Sequence, residues 1–257
     1  MAKRNLPHEE IKGFEIYNGR NTEQMPKLIA DGRVPMNIFQ LMQRKLGLIN
    51  DDSSVKDFFM DNYFDTGDLK AQRGDEVKLV LTTYADGSIT DLGRKYLELI
   101  NPEEVLVNRA VNLGIEERYD NLQGNGVVVT RADKLAKALC TPLSQEDVKD
   151  SLFWKVMLRH SDEVPKEFTV PGLHEEVIPY IFSEYQRRFA KDEKIDNLNL
   201  MGVYLDSYKT SDSEMRAWCV SRLGRGSYAS GGLALDDDDG RFVGIAPEAL
   251  SQNFCRS

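Results

Sequence analysis

The amino-acid sequence combines helix-type and strand-type apolar patterns in an irregular order, and this order restricts the fold more than any single motif does. Residues 178–189 carry apolar side chains at helical spacing, and residues 36–46 have a shorter face of the same kind. Residues 77–84 (VKLVLTTY) and 124–130 (GNGVVVT) are typical of short strands between turns. Because the helical segments outnumber the strands and do not alternate with them regularly, we predict an α+β fold that is helix-rich, with a few short strands.

Local signals predict further elements. Thr90 and Ser144 stand where helix N-caps are expected, and Asp147 is in the acidic position of a capping box. Residues 214–223 (EMRAWCVSRL) are predicted to form a helix that follows Ser211 or Ser213. In the tail, residues 233–235 and 242–245 flank a charged turn, which predicts a C-terminal β-hairpin.

The domain organisation depends on one soft boundary. Residues 161–173 contain two prolines and a glycine, a composition typical of a connection between domains. We therefore predict a helical or mixed N-terminal part over residues 1–160, and a part over residues 174–257 that has a helix followed by α+β elements. A single domain is the alternative.

Composition bounds the class of protein. Of the 257 residues, 41% are apolar and 29% are charged, which suffices for a sizeable core. No apolar run is long enough for a transmembrane helix, and the basic N-terminus lacks the apolar stretch of a secretory signal. Cys140, Cys219 and Cys255 are widely spaced and form no CxxC pair. We predict a cytoplasmic protein in a reducing setting, with no membrane partner.

Residues 62–69, NYFDTGDL, contain a Thr-Gly-Asp unit. The unit resembles a short signature of the acyl-adenylating enzymes, and this resemblance implies that Asp68 holds the ribose hydroxyls of ATP. Asp-Thr-Gly is also similar to the active-site unit of the aspartic proteases, which need two copies. The local chemistry favours a turn that ends a helix, because Asn and Asp side chains bond nearby backbone groups and glycine adopts positive φ.

Three further clusters are candidate binding sites. Glycine backbone and arginine side chains can hold an anion, which predicts a site at Arg222, Gly224, Arg225 and Gly226. Carboxylates are the ligands of hard cations, so Asp237 and Asp239 in the run of residues 236–239 are candidate metal ligands. The aromatic face of residues 178–189 predicts a partner-binding surface made by three side chains, Phe182, Tyr185 and Phe189.

Charge and histidine content limit the other options. Residues 1–50 hold eight Lys/Arg and five Asp/Glu in a chain whose net charge is −9. This asymmetry predicts that a nucleic-acid partner, if present, contacts the basic side chains Arg20, Lys27, Arg33, Arg44 and Lys45. His8, His160 and His174 show no metal-ligand spacing in sequence, since Ile178 stands where HExxH requires histidine.

These signals include no complete catalytic signature. We therefore predict a non-enzymatic protein-binding or assembly protein with no cofactor, whose partner is another protein or a second copy. Two alternatives remain open: a nucleic-acid-associated regulator that uses residues 1–50, and a phosphate- or nucleotide-handling enzyme. The enzyme would need Asp65 and Asp68 to meet Arg222, Arg225 and the aspartate run in one cleft.

Overall fold

The computed structural model describes residues 13–48, 54–104, 106–135, 143–189, 200–205, 212–224 and 228–253. Within these residues, eleven strands form one mixed sheet. Their bounds are β1 Phe14–Asn18, β2 Val34–Pro35, β3 Phe64–Arg73, β4 Glu76–Val80, β5 Leu106–Val107, β6 Ala110–Asn112, β7 Val127–Arg131, β8 Gly202–Tyr204, β9 Ser213–Val220, β10 Tyr228–Ser230 and β11 Arg241–Ile245.

Helices cover both sides of the sheet. Their bounds are α1 Asn21–Ala30, α2 Ile38–Gly47, α3 Ser54–Asp61, α4 Asp91–Leu97, α5 Arg118–Asn121, α6 Ala132–Leu135, α7 Gln145–Lys149, α8 Leu152–Met157, α9 Leu173–Phe189 and α10 Pro247–Asn253, with a 3₁₀ turn at Lys166–Phe168. In the described ranges, none of these helices has the length and apolar character needed to cross a membrane.

Strand β3 organises the sheet. Its N-terminal end pairs with β11 in parallel, at Phe242 and Asp65, whereas its C-terminal half pairs with β4 in an antiparallel ladder. Strand β9 runs antiparallel along the other side of β3 and also pairs with β6 and β10. Strands from both sequence parts, 1–160 and 174–257, are therefore neighbours in the same sheet.

The β3–β9 ladder is interrupted by a bulge. Asp65 lies opposite Cys219, but Leu69 lies opposite Ala217, so β3 contains extra residues between these two pairs. Thr66 in the bulge donates a hydrogen bond from its Oγ1 to the Trp218 carbonyl, at 2.9 Å. The bulge turns the stretch 66–68 out of the regular pairing and toward the segment that precedes α2.

Two apolar layers lie on opposite faces of the sheet. The larger one packs α2, α3, α8 and α9 around side chains such as Phe59 and Trp154. The smaller one packs α1 and α4 against Leu69 and Met215 of the central strands. The sheet is thus covered on both sides, which explains why every described residue of β9 is buried.

The predicted class, α+β, is confirmed, but the prediction of a helix-rich chain with few short strands is wrong. Residues 214–223 were predicted as a helix because Glu, Met, Arg and Ala favour helices. Instead, β9 runs through Ser213–Val220 as a central strand. Its charged residues are buried in pairs: Glu214 Oε1 lies 3.2 Å from Arg216 Nε and 3.7 Å from Lys70 Nζ. Tertiary pairing overrides the local preference here.

The predicted C-terminal hairpin is also wrong. Residues 242–245 belong to β11, but residues 233–235 are not in a strand, and β11 pairs with β1, β2 and β3. The turn predicted at NYFDTGDL is replaced by the buried start of β3. By contrast, the caps are confirmed: Thr90 Oγ1 accepts from the Gly93 N–H at 2.8 Å, and Ser144 and Asp147 form a capping box.

Candidate functional site

Asp68 is an interior anchor of the fold. Its side chain is fully buried; Oδ2 accepts the Ile38 N–H at 2.9 Å and Oδ1 accepts Arg159 Nη2 at 3.0 Å. Arg159 is also fully buried and lies over the Phe39 ring, with 5.1 Å between the guanidinium carbon and the ring centroid. Burial raises the pKa of Asp68, and the Arg159 charge opposes that shift. The carboxylate therefore joins β3, the start of α2 and the segment after α8.

Asp65 is equally buried but has different partners. Its Oδ2 accepts the backbone N–H of Arg241 at 2.8 Å, which fixes the start of β11 beside β3. Burial raises the pKa of Asp65 to about 6, and the bond from Arg241 opposes the shift. The two carboxylates of the Thr-Gly-Asp region thus hold separate segments of backbone.

The aspartate run lies in the loop before β11 and forms ion pairs. Asp236 Oδ1 and Asp237 Oδ1 lie 2.7 and 2.6 Å from Arg109, at its Nε and Nη2. Asp238 Oδ1 lies 2.7 Å from Arg20 Nε. The backbone carbonyl of Asp239 accepts the Tyr63 hydroxyl. Asp237, a candidate metal ligand, therefore already has an arginine partner, and Asp239 is exposed on the same loop.

The Gly/Arg segment follows the end of β9. Arg222 is exposed and Gly224 is partly buried, while Arg225 and Gly226 lie outside the described residues. The partners of Asp65 and Asp68 are Arg241 and Arg159. Asp65 and Asp68 are thus bound to the Arg241 backbone and to Arg159, and Arg225, which the enzyme hypothesis also requires, lies outside the described residues.

The five basic residues predicted to contact nucleic acid have different environments. Lys45 is only 2% exposed, and burial lowers its pKa to about 8. The Arg44 guanidinium lies 5.6 Å from the Phe14 ring centroid and 5.8 Å from that of Phe59. Arg33 Nε lies 3.1 Å from Glu15 Oε2, Arg20 is paired with Asp238, and Lys27 is exposed. The five side chains thus differ in exposure and in the groups they contact.

The aromatic face of α9 packs on the larger apolar layer. Tyr185 is 5% exposed, and its ring centroid lies 5.1 Å from that of Phe189. Phe182 and Phe189 are partly buried against the same layer. The face that the sequence predicted for a partner therefore contributes to the protein's own interior.

A cluster that the sequence analysis did not predict lies between the end of α8 and the first turn of α9. His160 Nε2 is 3.2 Å from Glu175 Oε1, and His174 Nδ1 is 3.8 Å from the same oxygen. The two imidazole centroids are 5.2 Å apart. Burial lowers the pKa of His174, whereas the nearby Glu175 charge opposes the shift. The spacing of 14 residues between the histidines carries no motif, so only the fold brings them together.

A second feature is the outer edge of β7. Among the residues that the structure describes, β7 pairs with β4 and with no other strand. Val129, in the middle of β7, is 56% exposed. An open groove of about 510 Å³ lies beside it and is lined in part by Val129, Leu152 and Glu163. The sequence identified this strand but gave no sign that it lies at an edge.

Comparison with solved structures identifies the architecture. A chain described under the heading "Accommodation of massive sequence variation in Nanoarchaeota by the C-type lectin fold" superposes with a TM-score of 0.56 at 16% sequence identity. The match covers 92% of this chain and 100% of the other. The fold of this chain resembles the C-type lectin fold.

Sequence comparisons do not assign the chain to a protein family. No protein-family model matches the chain, and no curated protein matches it. At 16% identity, the likeness extends to the C-type lectin fold and not to an activity, because one fold can carry many unrelated sites. Within this C-type lectin-like fold, the histidine cluster and the β7 edge are local features of this chain's own residues, and function has to be argued from them.

Proposed function

We propose that this protein is a non-enzymatic assembly protein, and that it self-associates by pairing the outer edge of β7 with β7 of a second copy. The observation that carries the proposal is the position of Val129. This residue is the middle one of β7, it is 56% exposed, and among the described residues no strand pairs with the outer edge of β7. Edge strands are usually protected from such pairing by lysine, proline, a bulge or a covering segment. The five residues of β7, VVVTR, contain neither lysine nor proline.

The hydrogen-bond pattern leaves backbone groups available along this edge. Leu81 donates to the Gly126 carbonyl, and Ala132 donates to the Asp75 carbonyl. These two bonds fix which residues of the β4–β7 ladder are hydrogen-bonded, so Val128 and Thr130 bond to β4. Because the direction alternates along a strand, the Val129 N–H and carbonyl point outward. These outward groups are the ones to which a second strand would bond.

A second copy suits this edge because the strand is complementary to itself. In an antiparallel pair centred on Val129, that residue faces Val129 of the second copy, and Val127 faces Arg131. No two like charges stand directly opposite each other in this register. The arrangement has two-fold symmetry, which is the commonest symmetry of protein dimers.

The likeness to the C-type lectin fold is compatible with an assembly role. The similar chain is described as an example of that fold accommodating massive sequence variation. One fold can carry many unrelated sites, so a binding surface can arise on it without catalytic residues.

Charge substitutions at Val129 test the proposal. Light scattering after size exclusion is expected to give a dimer for the wild type. Val129→Lys and Val129→Glu are each expected to be monomeric, because two like-charged side chains would stand directly opposite each other on Cα atoms about 5.5 Å apart across the symmetry axis. Mixing the two variants is expected to restore a dimer, which native mass spectrometry identifies as a heterodimer.

Leu233→Lys is the matched control, since Leu233 is another exposed apolar residue, at 38%, outside β7. It is expected to leave the wild-type mass unchanged. A wild-type monomer at every concentration contradicts the proposal. So does a dimer that Val129→Lys does not weaken, or a mixture of charge variants that stays monomeric. A complex of β7 with a different protein, formed by a monomeric wild type, would show that the edge serves another partner.

A further inference from the structure

The histidine cluster has the spacing of metal ligands. One ligand atom each from His160, His174 and Glu175 lies within 4.8 Å of the other two. Bonds of about 2.0–2.1 Å in a tetrahedral zinc site put ligand atoms about 3.3 Å apart. The measured separations of 3.2 and 3.8 Å from Glu175 Oε1 to the two imidazoles are close to that value. A contraction of less than about an ångström would bring these two separations to zinc-site values.

The buried member of the cluster is poorly satisfied without a ligand. His174 is 4% exposed, and its Nε2 has no hydrogen-bond partner among the described residues. A buried polar atom without a partner is costly, and native structures contain few of them. The nitrogen that faces Glu175 is Nδ1, so a cation would bind there and Nε2 would carry the ring proton. The backbone of Lys149 also acts on this ring and favours its protonated form. The ion would thus give the buried ring a second polar partner.

A carboxylate stands behind the second histidine. His160 Nδ1 now accepts the Asp162 N–H at 3.2 Å, and Asp162 Oδ2 lies 3.7 Å from the same nitrogen. If Nε2 bound a metal, Nδ1 would carry the ring proton. The bond from the Asp162 N–H would then be lost, and a small rotation of the ring would let Nδ1–H donate a hydrogen bond to Asp162 Oδ2 instead. A carboxylate–histidine–metal arrangement of this kind orients the ligand and increases its basicity.

We propose that His160, His174 and Glu175 bind one divalent transition-metal ion of the zinc class. Two imidazoles and one carboxylate suit zinc better than calcium or magnesium, which prefer a full set of oxygen ligands. Glu175 is 57% exposed at its side chain, so the fourth position faces solvent and is available to water. The ion would link the segment after α8 to the first turn of α9.

Zinc titration of the metal-free protein tests this site. All proteins in the experiment carry His8→Gln, which removes the third histidine of the chain as a ligand. Calorimetry is expected to give one zinc ion per chain. Cobalt(II) is expected to bind with the intense visible absorption of a tetrahedral ion, a readout that does not depend on stability. Zinc is also expected to raise the Tm as its concentration increases above Kd.

Glu175→Gln and His160→Gln are the decisive variants, because their side chains are 57% and 21% exposed and the fold should tolerate both. Each is expected to weaken zinc binding by at least about 10–100-fold, the loss typical even for groups that only support metal ligands. Glu176→Gln, an exposed neighbour in the same helical turn, is the control and should bind like the parent. Equal affinity of Glu175→Gln and the parent would overturn the site. So would an equal loss in the control, or no binding by the parent at micromolar zinc.

Discussion

At the scale of single residues, the interior of this protein contains charges that are paired. Asp68 and Arg159 are both 0% exposed, and the Arg159 guanidinium lies between the Asp68 carboxylate and the rings of Phe39 and Phe168. Lys70, also 0% exposed, lies 3.7 Å from Glu214 Oε1. In such a pair the attraction between the charges is offset by the loss of hydration, so the net contribution to stability is small. Removal of one partner is costly, because the other charge is then buried alone.

This balance predicts the outcome of a double-mutant cycle at Asp68 and Arg159. Asp68→Leu and Arg159→Met are each expected to lower the free energy of unfolding by about 3–5 kcal/mol, because each leaves the other charge buried alone. The double variant should lose less than either single variant, since no unpaired charge remains. Urea denaturation of the four proteins measures these values. A double-variant loss equal to the sum of the single losses would contradict an energetic coupling.

Lys45 is a buried amine of another kind, since its low pKa of about 8 arises mainly from desolvation. Lys45→Met is therefore expected to raise the free energy of unfolding at pH 7 by about 3 kcal/mol, at about 1.36 kcal/mol per pKa unit. In the wild type, the folded state loses this proton near pH 8 and the unfolded state near 10.5. Between these two pH values the unfolded wild type binds more protons than the folded one, so the free energy of unfolding of the wild type rises with pH. The stability difference between Lys45→Met and the wild type therefore becomes smaller.

Urea denaturation at pH 7 and about pH 10, just below the pKa of an unperturbed lysine, checks the prediction at Lys45. Lys27→Met, at an exposed lysine in α1, is the control and should change stability little at either pH. A gain at Lys45 that is the same at both pH values would show that packing, and not the charge, is responsible.

At the scale of elements, α4 lies unusually close to the chain that precedes it. A Cβ atom built at Gly93 would lie 2.7 Å from the Thr82 Cα and would collide with the Thr82 carbonyl. The N–H of Thr90, the N-cap of α4, donates to the Thr82 carbonyl at 2.9 Å, so the helix cannot move away from residue 82 without losing that bond. The glycine is therefore required by contact and not by its φ angle.

Gly93→Ala is expected to destabilise the protein by about 1–3 kcal/mol, the usual cost of overpacking. Gly47→Ala, at the end of α2, is the matched control because a Cβ atom added there would have no neighbour within 4 Å. That change should be neutral or stabilising by up to about 1 kcal/mol, since alanine favours the helix. Thermal unfolding of both variants measures the contrast, and equal effects of the two substitutions would contradict the argument.

The elements also show which sequence signals were reliable. Sequence patterns predicted the elements that depend on neighbouring residues. These are the caps at Thr90 and Ser144, the apolar face of α9 and the strand β7. The patterns failed for β3 and β9. Asp65, Asp68, Glu214 and Arg216 are typical of turns or helices, and their partners inside the sheet come from distant parts of the sequence.

At the scale of the whole molecule, the sites depend on contacts that no local pattern encodes. The pairing of His160 with Glu175 depends on α7, which packs against both α8 and α9. The edge position of β7 depends on the strand order of the sheet. The composition and charge predicted a folded protein with a core, but the arrangement of that core came from long-range strand pairing. The largest error, the count of strands, has the same cause, because buried polar strands lack the alternation that identifies exposed ones.

The bulge in β3 has a consequence for how such a chain can vary. Leu69 and Ala71 face the smaller apolar layer, while Lys70 and Gln72 face the opposite side toward Glu214. Gaining or losing one amino acid in the stretch 65–69 would exchange these sides for the rest of the strand. Homologous chains should therefore tolerate insertions and deletions in surface loops but keep the number of residues in the stretch 65–69 constant, even where the amino acids in it are substituted.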